Sequence, residues 1–259
     1  MRINEITLDK NSQSQEIIDY LNKFGVTVIN NFIGEETINS LKLEFEELQI
    51  CKQPWALKTE YSKGRCCRVN RLEMNSKYFP DTASVFGSEW MGNICNRYLG
   101  DESVLNHDIF LVHDVTTSVH VAQDLHYDKI PTLKFFIYLT DTTSGNGSFY
   151  CVPGSHEYTK KLQDKNRKKL KSPGHSETRF VPLEFESEQI PLEGKAGTLI
   201  IFDTDVFHRA GKVDKGERFV MRGHSRKEKF IPYFTPTSKP NRLTNILIKL
   251  KKNFSRTNS

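Results

Sequence analysis

D-L-H-Y-D-K-I-P-T-L-K-F-F-I-Y-L, residues Asp124 to Leu139, places a histidine and a carboxylate two positions apart and then runs into an apolar segment. Side chains two apart on a strand leave the same face, with Cα atoms roughly 6–7 Å apart. His126 and Asp128 can therefore meet on one metal ion, with the run 133–140 as the strand behind them. The plain alternative is a polar strand end, and a chain with eight histidines can carry H-x-D by chance. A third ligand from elsewhere in the chain decides between the two.

G-T-L-I-I-F-D-T-D-V-F-H-R-A-G supplies it. Gly197 opens a buried-type run from Thr198 to Phe202, and His208 follows just beyond it. Ten residues later Arg218 stands in E-R-F-V-M-R, where an extended strand presents Arg218, Val220 and Arg222 on one face. Two histidines and one carboxylate form the facial triad that suits non-haem iron(II) and leaves coordination positions open. An inward arginine beside that metal is costly unless an anion neutralises it. A bound dicarboxylate would do so through bidentate hydrogen bonds. Arg222 and Lys134 are alternative anchors for it. Asp203 and Asp205 are competing carboxylates, but neither has a histidine two residues away. His107, His113 and His120 read as ordinary strand or loop histidines, since no carboxylate partner is specified for them.

Outward from the site, the chain changes texture near residue 104. Before it, Ser14 to Phe24 carries Ile17, Ile18, Leu21 and Phe24 at helical spacing, and Gly25 stops the helix. Val26 to Ile29 is a short β-branched strand, and Glu35 to Leu48 is a second amphipathic helix. Residues 82 to 99 read as a third. After it, runs rich in Val, Ile, Phe and Thr at 109–121, 133–140, 148–152, 198–202 and 217–224 are separated by Gly, Asn, Asp and Pro. That is an antiparallel sandwich or barrel pattern. The expected fold is mainly β with flanking helices, a jelly-roll core buttressed by N-terminal helices. One domain is expected over 1–240, with a helical part at about 12–99 and a core at about 104–225.

Composition sets the outer bounds. The 259 residues can bury a sizeable core, and 37% apolar against 27% charged residues is a soluble composition. The five cysteines form no C-x-x-C pair, so a zinc knuckle and a disulfide framework are both poorly supported. Reduced thiols in a cytoplasm are the economical reading. The start, M-R-I-N-E-I-T-L-D-K, has no apolar signal core, and no apolar run is long enough to span a membrane. The net charge of +5 is uneven: seven basic and no acidic residues follow Glu228, and the rest of the chain is slightly acidic. Nucleic acid is therefore not an expected partner. Two basic segments remain. K-K-L-Q-D-K-N-R-K-K-L-K at 160–171 reads as a solvated charged helix or as an attractor for an anionic substrate. The tail 241–259 carries Leu243, Ile246, Leu247, Leu250 and Phe254 on one stripe, for packing on the body or another subunit or for contact with an anionic membrane surface.

H-Y-D at 126–128, G-N-G-S-F-Y-C-V-P-G-S-H at 145–156, and His208 followed by Arg218 resemble the phytanoyl-CoA dioxygenase family of iron(II)/2-oxoglutarate oxygenases. Y-L-N-K-F-G-V-T-V-I-N-N-F-I-G-E-E-T-I-N-S-L also resembles that family's N-terminal helix, strand and helix, so the likeness spans about 14–225. It implies a double-stranded β-helix, with His126, Asp128 and His208 as iron ligands and Arg218 as the 2-oxoglutarate anchor. Phe136 is the match to an aromatic residue, typically tryptophan, on the strand after H-x-D. By period 2, Lys134 then faces the same pocket, and a buried lysine requires an anion. Relatives that halogenate lack the carboxylate ligand, so Asp128 implies hydroxylation with O2, releasing succinate and CO2. Pro153-Gly154 is a turn pair, and Ser155 is placed to cap the segment after it. Two other classes stay open: a cupin-like metal enzyme that does not use 2-oxoglutarate, and a non-catalytic jelly-roll binder.

Overall fold

The computed structural model describes residues 1–61, 64–116, 123–128, 130–167, 177–178 and 181–233. Its elements begin with β1 (Thr7–Leu8), α1 (Ser14–Phe24), β2 (Val26–Ile29), α2 (Glu35–Ile50), β3 (Ala56–Tyr61) and β4 (Gly64–Asn70). Next come α3 (Pro80–Phe86), α4 (Glu89–Leu99), β5 (Ser103–Val115), β6 (Tyr127–Asp128), β7 (Leu133–Tyr138) and β8 (Phe149–Val152). The remainder is α5 (His156–Arg167), β9 (Glu177–Thr178), α6 (Leu183–Glu186), β10 (Ile190–Leu192), β11 (Leu199–Asp203), β12 (Phe207–Ala210) and β13 (Glu217–Lys227).

Two sheets face one another. The larger has eight strands in the order β1-β2-β11-β7-β13-β5-β4-β3, and the smaller is β10-β8-β12. All pairings in the large sheet are antiparallel except β1 with β2. Among the described residues the strands do not close into a barrel. β7 shows why the centre reads as an unbroken apolar run. Its Leu133, Phe135 and Ile137 pack into the helix-side core with Ile17, Leu21, Leu41 and Phe45. Its Phe136 and Tyr138 lie between the sheets with Phe149, Phe202 and Val220. A strand covered on both faces has no polar face to alternate with.

The structure departs from the sequence reading in three places. The segment 82–99 is two helices. The Gly87 N–H closes α3 on the Ala83 carbonyl, and Ser88 caps α4 by accepting the Met91 N–H at 3.4 Å. The hairpin of β3 and β4 was not expected, because its Lys, Glu, Arg and Cys residues carry no apolar alternation. The strand expected at 109–121 is β5, which begins earlier, at Ser103. The 241–259 tail, His120 and residues 168–171 of the basic segment lie outside the described residues; the rest of that segment is in α5, where Lys160 pairs with Asp203 at 3.4 Å. All five cysteines are free. No described helix is long and apolar enough to cross a membrane.

Two glycines hold the sheets to the helices. Gly25 ends α1 in the left-handed region (φ 70°) and returns its N–H to the Leu21 carbonyl at 2.8 Å. Gly197 (φ 89°) lies against the backbone after β2: a Cβ there would sit 2.4 Å from the Ile33 carbonyl oxygen. Its own carbonyl accepts the N–H groups of Phe32 and Ile33. Gly197→Ala is expected to cost about 2–3 kcal/mol from backbone strain and overlap. That should lower the melting temperature by roughly 5–10 °C in a domain of this size. A melting temperature within a degree of the parent would show that this junction can relax.

Candidate metal centre

His126 and His208 meet through their backbones. The His126 N–H donates to the His208 carbonyl at 3.0 Å, and the His208 N–H donates to the His126 carbonyl at 2.7 Å. This isolated antiparallel bridge joins the start of β6 to β12 and sends both imidazoles to one side, ring centroids 4.4 Å apart. Asp128, two residues on, is fixed by its N–H to the Thr204 carbonyl at 3.0 Å. Its Oδ1 lies 3.9 Å from His126 Nε2 and 3.8 Å from His208 Nε2. One ligand atom from each residue can be chosen so that all lie within 4.8 Å of one another.

The second ring nitrogens settle the tautomers. His126 Nδ1 lies 2.7 Å from the Asp124 carbonyl and His208 Nδ1 lies 2.8 Å from the Val206 carbonyl. A carbonyl only accepts, so each Nδ1 carries the proton and each Nε2 turns its lone pair toward Asp128. Burial and the neighbouring His126 hold the His208 pKa well below its usual value. Burial pushes the Asp128 carboxyl up, but Lys134, His208 and His126 outweigh it and hold the group well below the carboxylate range. Two imidazoles, each with its Nδ1 tied to a carbonyl, and one carboxylate are a donor set that suits a divalent ion.

The lysine that faces the pocket has its anion in the site itself. Lys134 Nζ reaches Asp128 Oδ2 at 2.8 Å, so one carboxylate oxygen is held by the lysine while the other faces the histidines. Burial lowers the Lys134 pKa; Asp128 opposes this, and Arg222 and Arg226 add to it. Phe136 is buried on the same strand face, with its ring 5.3 Å from Phe149 and 5.0 Å from Phe202. Those two rings flank His208 at 5.7 and 5.2 Å. The three phenyl rings form an apolar wall behind the metal centre.

Arg218 is buried on the interior face at the start of β13 and already has a counterion. Its Nε donates to Asp114 Oδ2 at 3.1 Å, its Nη2 donates to the same oxygen, and its Nη1 donates to the Gly147 carbonyl. The sequence reading left its neutralising anion to a ligand; β5 supplies one directly across the ladder, where Arg218 is paired with Asp114. Asp108 was missed as well. It accepts Arg68 at 2.8 Å and the fully buried Arg226 at 2.6 Å. Period 2 places Asp108 and Asp114 on one face of β5 and Arg218 and Arg222 on one face of β13, but which of them meet depends on the pairing of the two strands.

Other expected features have structural duties. His156 is fully buried, with Nε2 3.0 Å from the Asn22 carbonyl, and Ser155 Oγ accepts the Phe207 N–H at 2.8 Å. Asp203 accepts the Tyr98 hydroxyl at 2.8 Å, away from the triad.

The comparisons with known proteins agree with this geometry. The family model of phytanoyl-CoA dioxygenase (PhyH) matches residues 21–216. An uncharacterized protein of Mycobacterium tuberculosis, Rv1501, is 20% identical over 233 residues, covering 85% of this chain and 77% of that one. Among solved structures, the epimerase SnoN in complex with Fe3+, alpha ketoglutarate and nogalamycin RO superposes with a TM-score of 0.61 at 12% identity, covering 88% of this chain and 91% of that one. HygX from Streptomyces hygroscopicus, with nickel and 2-oxoglutarate bound, gives 0.59 at 14% identity, with 84% and 88% covered. With the model spanning most of its length and the triad assembled inside the match, the chain belongs to the phytanoyl-CoA dioxygenase family.

Proposed function

We propose that the protein is an iron(II)- and 2-oxoglutarate-dependent oxygenase that hydroxylates a small or medium organic molecule, releasing succinate and CO2. The facing sheets are read as the double-stranded β-helix of that family. The observation that carries the proposal is the convergence of His126, Asp128 and His208, with both Nδ1 atoms tied to carbonyls and both Nε2 atoms directed at Asp128 Oδ1. Structures of like fold hold Fe3+ with alpha ketoglutarate in SnoN, and nickel with 2-oxoglutarate in HygX.

His126, Asp128 and His208 would hold the ion, which when bound chelates the keto acid and activates O2. The chain's own groups do the positioning. Lys134 restrains Asp128 through Oδ2, which would leave Oδ1 as the oxygen available to the ion. Phe136, Phe149 and Phe202 keep bulk water from the His208 side. Arg218 is the proposed anchor for the far carboxylate of 2-oxoglutarate. A guanidinium has five N–H donors. Asp114 and Gly147 engage Nε, Nη2 and Nη1 once each, orienting the fork and leaving donors for a ligand.

The test is anaerobic loading with iron(II), then 2-oxoglutarate, O2 and a substrate panel, with succinate measured against product. Turnover that survives complete removal of 2-oxoglutarate would move the protein to the cupin-like class. Failure to bind any divalent metal would move it to the binders. Arg218→Ala is expected to raise the 2-oxoglutarate concentration needed for half-maximal succinate formation at least about tenfold, the loss of a charge-assisted bidentate contact. Metal affinity should stay the same. An unchanged 2-oxoglutarate requirement would assign the anchor to another cation.

A further inference from the structure

Beyond the metal centre, the interior face of the large sheet continues across β13, β5 and β4. The register places Phe136 opposite Arg222, Arg222 opposite Phe110, and Phe110 opposite Arg68. One row across four adjacent strands thus alternates aromatic, arginine, aromatic, arginine. The next row is Lys134, His224, Asp108 and Asn70, and Lys134 bonds the metal ligand Asp128. The Arg222 guanidinium carbon lies 5.1 Å from the Phe110 centroid and 5.6 Å from the Phe136 centroid. Arg68 lies 5.9 Å from Phe110, and His224 stacks on that ring at 4.4 Å.

The charges on this face do not balance. Arg68 and Arg226 share the single carboxylate of Asp108. Among the described residues no carboxylate pairs with Arg222, and its Nε is buried without a hydrogen-bond partner. Aromatic faces offset part of the desolvation of a guanidinium but satisfy none of its N–H donors. An oxyanion satisfies both the charge and the donors. Arg222, Phe110 and Arg68 are each only partly buried, so a ligand can reach the row from solvent. Four residues, roughly 13 Å of strand, separate Arg222 from Arg218, so one diacid cannot clamp both.

We propose that Arg222, with Arg68 and the Phe110 ring between them, is the anchor for the primary substrate, and that this substrate is a small molecule bearing a carboxylate, sulfonate or phosphate. The inference rests on the oxygenase reading, in which the co-substrate diacid occupies the metal and Arg218. Arg222 then ties down the acidic end of the substrate, and the carbon skeleton attached to it lies over Phe136 and Lys134 beside the metal.

The experiment measures binding by calorimetry to protein loaded anaerobically with manganese(II) and saturated with 2-oxoglutarate. The probes are phenyl phosphate and phenylacetate, with benzyl alcohol as the uncharged match. The charged probes are expected to bind at least tenfold more tightly than the alcohol. Arg222→Gln should erase that difference and Arg222→Lys should keep most of it, while 2-oxoglutarate affinity changes less than twofold in both. Equal binding of charged and neutral probes by the parent protein would overturn the proposal, whether or not the variants fold, and so would no binding of any probe. Arg222→Gln weakening 2-oxoglutarate instead of the probes would also overturn it, making Arg222 the co-substrate anchor. If the parent protein fails to bind 2-oxoglutarate at all, the oxygenase reading fails. The comparison of charged and neutral probes on metal-loaded protein alone still decides whether Arg222 is an oxyanion site.

Discussion

His208→Ala is expected to abolish the thermal stabilisation that iron(II) or manganese(II) confers on this protein, and with it all succinate formation. The parent site presents two imidazoles and a carboxylate that Lys134 helps keep ionised. An ion at a hundred times its dissociation constant should therefore raise stability by about 2.7 kcal/mol. That is roughly 5–10 °C for a domain of this length. Alanine at 208 leaves only His126 and Asp128. Even a lost outer partner of a metal site costs roughly 10–100-fold in affinity, so a lost ligand should remove the shift at the same metal concentration. The fold should survive, because the strand contact is made by the backbone: both hydrogen bonds between His126 and His208 are N–H to carbonyl. The metal-free parent and variant should thus unfold within a few degrees of each other. An undiminished metal-induced shift in His208→Ala would remove His208 from the site and leave the oxygenase proposal without its central observation.

Much of this was legible in the chain, for identifiable reasons. The H-x-D spacing of His126 and Asp128 fixes their common face because the strand period is 2, and His208 comes just after an unmistakable buried strand. Ser14–Phe24 and Val26–Ile29 are found at their expected bounds, because a left-handed glycine stands between them. What was illegible depends on which strands become neighbours. Nothing local marks Asp114 as the counterion of Arg218, or Asp108 as that of Arg226: β5 and β13 are far apart in sequence yet paired along most of their length. Lys134 was recognised as a lysine in need of an anion. That the anion is Asp128 depends on how β6 and β7 are brought together. The β3–β4 hairpin escaped because it lies at the edge of the large sheet, where polar side chains are tolerated.

Asp108→Asn is expected to be among the most destabilising single substitutions outside the core, at about 3–5 kcal/mol. Asp108 supplies the carboxylate bonded to Arg226, whose side chain is almost wholly buried, and it also accepts Arg68 at 2.8 Å. Asparagine keeps the shape but removes the countercharge from a guanidinium buried in the sheet beside a second one. The pH dependence carries the same signature. Burial alone would raise the Asp108 pKa; the adjacent His107, 3.3 Å away, and the charges of Arg226 and Arg68 outweigh it and bring the group down from 3.8 to about 2. A depressed carboxyl stabilises the fold above its unfolded pKa and ceases to do so once it is protonated in both states. This contribution, about 2–3 kcal/mol for a shift of this size, is therefore complete above about pH 5 and is lost as the pH falls from about 4 to about 2. Chemical unfolding measured across that range should show a steep acid limb in the parent and a shallower one in Asp108→Asn. Replacing Asp108 and Arg226 together by methionine should recover much of the loss, because an apolar pair of similar volume needs no countercharge. A single variant within about 1 kcal/mol of the parent, with an unchanged acid limb, would mean that water reaches Arg226 and that the charges on this face of the sheet are solvated.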